Sequence, residues 1–141
     1  MCLICDRIEM IKRGENPYFV RELKTGYVVI GDHQHFRGYT LFLYKEHGDK
    51  TELFHLDKAE RALFMEEMTL VAQAAAKAFG AEKMNYELLG MGDAHLHWHL
   101  TPRAAATSAA TAITERVLYG GIPWKRCTAT KPDRILMSCK I

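Results

Sequence analysis

A chain of 141 residues, 48% of them hydrophobic, has the length and composition of one domain with a sizeable core. A formal net charge of +2 with no sustained Lys/Arg run excludes the electrostatic footprint of a nucleic-acid-binding protein and leaves any phosphate contact local to a site. The first residues, Met1-Cys2-Leu3-Ile4-Cys5-Asp6, lack a signal peptide's basic segment and apolar run, and nowhere do apolar residues run long enough to span a bilayer. A soluble, cytoplasmic protein is expected, whose four cysteines are thiols or metal ligands rather than a disulfide framework.

In chain order, Asp6 to Arg13 predicts a short helix stopped by Gly14, and Asn16-Pro17 a turn before the strand-like Tyr18-Phe19-Val20. Tyr27 to Ile30 and Tyr39 to Tyr44 read as strands, separated by a loop holding Asp32, His33, His35 and Arg37. The clearest helix starts after Asp57, with Glu60 placed to complete a capping box, and ends at Gly80. Its apolar side, with Leu63, Phe64, Met68, Val71, Ala75 and Phe79, suits packing on a sheet. Met84 to Leu89 predicts another strand, joined through Gly90-Met91-Gly92-Asp93, as a compact hairpin, to His95-Leu96-His97-Trp98-His99-Leu100. Residues 1–103 form the expected domain core, an α+β antiparallel sheet with one long helix and a short N-terminal one. Residues 104–141, with an Ala/Thr/Ser-rich start, the turn Gly120 to Trp124, and Cys127 and Cys139 as free thiols, form a C-terminal extension packed on the same domain.

The three alternating histidines carry the chemistry, because a strand turns every second side chain to one face. Three imidazoles on one face leave several ring nitrogens needing partners, which a ligand, a metal or an anion satisfies. A neutral imidazole is also a good nucleophile toward phosphorus, and a neighbour about 6.6 Å along the strand can reach phosphate oxygens or give a proton to the leaving group. The same spacing suits a metal if further ligands arrive from elsewhere. Cys2 and Cys5 form a CxxC that is a zinc half-site if His47 and His95 supply the second half; a redox pair or two plain thiols are the alternatives.

The segment from His95 to Arg103 resembles the histidine-triad (HIT) signature, with Thr101 a mild departure from its usual hydrophobic position. The N-terminal CxxC, the strand from Gly38 to His47, the long helix, and Asn85 ahead of the triplet follow the order of zinc-bearing, bacterial-type members over roughly the first hundred residues. The resemblance implies a homodimer whose sheet continues across the interface and which acts on the α-phosphate of small-molecule nucleotides. In it, His97 is the nucleophile that forms a nucleotidyl-histidine, and His99 contacts the phosphate or assists the leaving group. His95 either orients His97 or joins Cys2, Cys5 and His47 around a structural zinc. Many members have a histidine where Tyr39 stands and a ribose-holding aspartate where Gly31 stands, so Tyr39, neighbouring Asp32 and Asn85 are the substrate-binding candidates. A histidine rather than glutamine at position 99 favours a hydrolase over the transferase and phosphorylase branches. A nucleotide-binding module with negligible turnover is the remaining alternative.

Overall fold

The computed structural model describes residues 2–104, so the expected C-terminal extension, with Cys127 and Cys139, lies outside the described residues. Five strands form one antiparallel sheet: β1 (Phe19–Glu22), β2 (Gly26–Ile30), β3 (Thr40–Tyr44), β4 (Lys83–Leu88) and β5 (His97–Arg103), in spatial order β1-β2-β3-β5-β4. Helix α1 (Leu3–Lys12) covers one face of it and α2 (Lys58–Phe79) the other. This is the expected HIT-like α+β architecture.

Alternation along the central strands divides their side chains between the two helices. Phe42 and Tyr44 of β3, with Val28, Trp98 and Leu100, pack under Phe64, Met68, Val71, Ala72 and Ala75 of α2. Leu41 and Leu43, with Tyr27 and Val29, meet Ile4 and Ile8 of α1. With both faces covered, β2 and β3 are buried at every residue, hence their unbroken apolar sequence. In register, Leu43 pairs with His97 and Leu41 with His99, which puts both histidines on the α1 face of the sheet.

Three local features differ from expectation. Helix α1 begins before Asp6, because the Cys2 side chain serves as its N-cap, accepting from the Cys5 amide. Asp57 caps α2 through the Glu60 amide at 2.8 Å and Gly80 ends it at φ +64°, but the Glu60 carboxylate takes the Tyr44 hydroxyl and Lys50 instead of closing a capping box. A reciprocal box of that kind closes instead on the 3-10 turn at Leu53–His55, between Glu52 and His55. The β4–β5 connection is a loop over residues 89–96 rather than a tight hairpin, and Asp93 within it accepts the Leu3 amide at 3.0 Å, tying the loop to the start of α1.

Glu67 is a charged residue on the buried side of α2, and its carboxylate accepts from the amides of Lys24 and Thr25, both at 2.9 Å, and from the Thr25 hydroxyl. It staples the β1–β2 turn to the helix. Glu67→Ala would strand two amides and a hydroxyl, so urea unfolding of this variant is expected to show a loss of about 2 kcal/mol or more, with Glu67→Gln losing less. Equal stability of Glu67→Ala and wild type would show that water satisfies those donors.

Candidate active site and metal centre

His95 stands two residues before β5 begins, where the chain approaches the end of β3. Its ring Nε2 lies 2.7 Å from the Tyr44 carbonyl, which only accepts, so Nε2 carries the hydrogen. Nδ1 then holds a lone pair, aimed at the Sγ atoms of Cys5 at 3.5 Å and Cys2 at 3.8 Å. His47 Nδ1 is 2.9 Å from Cys5 Sγ, and the ligand atoms of Cys2, Cys5, His47 and His95 all lie within 4.8 Å of one another. A tetrahedral zinc with two sulfur and two nitrogen ligands sets sulfur and nitrogen about 3.5 Å apart, so this donor set fits one. Burial, with the adjacent Cys2, pushes the Cys5 thiol up to about 11.

The backbone of His95 serves the next histidine. His97 Nδ1 lies 2.6 Å from the His95 carbonyl and must donate to it. In the neutral ring that a nucleophile requires, Nε2 therefore holds the lone pair, and it faces His99 Nε2 at 3.0 Å. Side chain and carbonyl of His95 thus do separate work, and the metal-ligating and orienting roles do not compete. The His97 side chain is well covered, at 6% exposure, beside a small cavity of about 50 Å³ walled by Thr51, Glu52, Leu88 and Leu89. A larger cavity of about 310 Å³, lined by Lys24, Thr25, Tyr44, Lys45, Glu46 and Glu60, contains none of the triad histidines.

Tyr39 lies just before β3 and joins this pair: its hydroxyl hydrogen-bonds His99 Nδ1, with the two rings nearly parallel at 13°. Gly31 makes room, since a Cβ there would overlap the Tyr39 ring. The Asp32 carboxylate accepts from both terminal nitrogens of the Arg7 guanidinium, so α1 and the β2–β3 loop are pinned together beside Tyr39. Hydrogen bonding to Asp32 holds Arg7 above its ordinary value, and proximity to Tyr39 adds to the shift. Asn85 of β4 pairs with Thr101 of β5, two register positions from Glu87, which stands directly opposite His99. The sequence therefore brings His97, His99 and Tyr39 into one chain of contacts and the four candidate metal ligands into another. Arg7 and Glu87 are additions that single-residue reading missed, because helix docking and strand register place them.

No protein-family model matches the sequence, and no curated protein matches it. Solved structures do. A histidine-triad protein of Sinorhizobium meliloti is 26% identical, with 69% of each chain covered and a TM-score of 0.55. A hypothetical histidine triad nucleotide-binding protein of Sulfolobus tokodaii is 23% identical over 72% of this chain and 70% of that one, at a TM-score of 0.61. A HIT family protein of Bacillus anthracis is 18% identical over 86% and 97%, at 0.57. A five-stranded antiparallel sheet between two helices, with alternating histidines at the start of an inner strand, defines a histidine-triad domain. The chain has the fold of the histidine-triad (HIT) proteins. Among the described residues no helix is long and apolar enough to cross a membrane.

Burial and the neighbouring His97 push His99 from its ordinary 6.5 down to about 4. The unfolded chain takes up this proton near 6.5 and the folded one only near 4, so stability is lost as pH falls across that window and is untouched above it. His99→Gln is expected to show a smaller drop in Tm between about pH 7 and about pH 4.5 than wild type; His95, depressed chiefly by burial, retains part of the effect. Equal drops in the two proteins would show that His99 is not held neutral.

Proposed function

We propose that the protein is a nucleotide hydrolase that attacks the α-phosphate of a phosphoramidate, a dinucleoside polyphosphate or a similar conjugate. His97 is the nucleophile and forms a nucleotidyl-histidine; water then releases the nucleotide. The observation that carries this reading is the hydrogen bond from His97 Nδ1 to the His95 carbonyl, which leaves the Nε2 lone pair directed at the partner histidine rather than at a metal cluster. In this reading His99 contacts the phosphate or assists the leaving group, and Tyr39, Asn85 and the Asp32 that Arg7 holds are assigned to substrate binding. The nucleotide-binding description of the Sulfolobus tokodaii neighbour supports the substrate class. We assign the protein to the cytoplasm as a homodimer, with the sheet continuing across the edge strand β4, beside which Tyr86, Leu89 and Met91 are exposed.

His97→Ala is expected to abolish the covalent adduct on a labelled dinucleotide or phosphoramidate and to reduce turnover to below about one thousandth of wild type. Turnover of His97→Ala at the wild-type rate would refute the nucleophile. Products that carry inorganic phosphate in place of water would assign a phosphorylase, and wild type that binds nucleoside monophosphates without turnover would assign a binding module.

Cys2, Cys5, His47 and His95 would hold a zinc ion in a closed, structural site; when bound, it clamps the start of α1 to the approach to β5 and leaves the chemistry to His97 and His99. Protein from zinc-supplemented medium is expected to contain about one zinc per chain by elemental analysis, and Cys2→Ser/Cys5→Ser to lose it together with several degrees of Tm. Metal-free wild type, or zinc retained by the double variant, would overturn the site.

A further inference from the structure

The contacts around His99 fix where its hydrogen sits. His97 Nε2 holds a lone pair, because Nδ1 is committed to the His95 carbonyl. A second lone pair at 3.0 Å would repel it, so His99 Nε2 must bear the ring hydrogen. His99 Nδ1 is then an acceptor, and the group facing it is the hydroxyl of Tyr39, which can donate. One directed path of hydrogens runs from Tyr39 through His99 to the attacking nitrogen. A neutral imidazole that surrenders its only hydrogen becomes an imidazolate, which is costly unless a second proton arrives at the other nitrogen. Tyr39 stands where that proton is needed.

We infer that Tyr39 supplies the leaving-group proton, relayed through His99. The inference rests on the reading of His97 as nucleophile. When substrate enters, the His99 Nε2 hydrogen passes from the His97 lone pair to the leaving atom. The lone pair on His97 Nε2 forms the N–P bond, and the bond from phosphorus to the leaving group breaks with its electron pair. That group takes the Nε2 proton of His99, and the Tyr39 hydroxyl proton moves to His99 Nδ1. His99 ends neutral in its other tautomer and Tyr39 ends as phenolate, beside the guanidinium that Asp32 holds in place. In the second step, water gives a proton to His99 Nε2, which returns its Nδ1 proton to Tyr39. The hydroxide bonds to phosphorus, the N–P bond breaks, and His97 regains its lone pair. Tyr39 is thus a positioning residue that acts through His99, setting its tautomer and recharging it.

The test compares Tyr39→Phe with wild type on two substrates. The variant keeps the ring that fills the space over Gly31 and removes only the hydroxyl. A nucleoside phosphoramidate expels an amine and needs the proton, whereas the p-nitrophenyl ester of a nucleoside monophosphate expels a stable phenolate and needs it far less. Tyr39→Phe is expected to slow the phosphoramidate about 10²-fold and the ester by less than about one tenth of that factor. Equal slowing of both substrates would reduce Tyr39 to a packing role, and no slowing of the phosphoramidate would remove it from the reaction; either overturns the relay. A readout independent of turnover is the nitrogen NMR of His99: hydrogen on Nε2 in wild type and a mixed tautomer in Tyr39→Phe are expected, while hydrogen on Nδ1 in wild type overturns the inference. If wild type turns over neither substrate and no adduct forms on His97, the nucleophile reading fails, and the NMR result still decides whether Tyr39 sets the tautomer.

Discussion

Two backbone carbonyls organise the chemistry of this protein. The carbonyl of Tyr44 takes the hydrogen of one imidazole and the carbonyl of His95 takes that of the next. Each bond decides which nitrogen of its ring is left with a lone pair, and the two outcomes point in different directions: toward a pair of thiols for His95, toward the His99 ring for His97. Main-chain oxygens suit this work because strand pairing fixes their positions and they can only accept. The Tyr44 carbonyl in turn depends on the antiparallel pairing of β3 with the segment leading into β5, where the Tyr44 amide binds the Leu96 carbonyl at 3.0 Å.

The same economy governs the helices. Packing α2 under β3 and β5 buries the residues between the histidines, so Trp98 and Leu100 hold the strand down while His97 and His99 are presented on the other side. The short helix α1 then closes that side at three points: through the cysteines near His95, through Leu3 on Asp93, and through Arg7 on Asp32. A helix of ten residues has little intrinsic stability in water, and these contacts, with Ile4 and Ile8 in the core, hold it in place.

Much of this was legible in the sequence. The long helix with its glycine stop and the run of strands each rest on a local pattern with one physical reading, and each is present; the CxxC and the alternating triplet had more than one chemical reading, and the fold adds that Cys2, Cys5, His47 and His95 come together. What was not legible required knowledge of which strands are neighbours. Glu87 faces His99 only because of the β4–β5 register, and Arg7 reaches Asp32 only because of how α1 lies on the sheet. Glu67 was indistinguishable from a solvated helix residue until the β1–β2 turn was placed over it. Glu60 fitted a capping box by spacing, yet Tyr44 and Lys50 outcompeted the helix end for its carboxylate. In each case a tertiary partner settled the role of a polar side chain.

Gly31 and Tyr39, which looked like two separate departures from the family pattern, occupy one volume: the ring of the second lies where any side chain on the first would stand. The two positions are therefore coupled sterically: a side chain at 31 is accommodated only if the Tyr39 ring shifts or is replaced, and a shifted ring carries its hydroxyl away from His99.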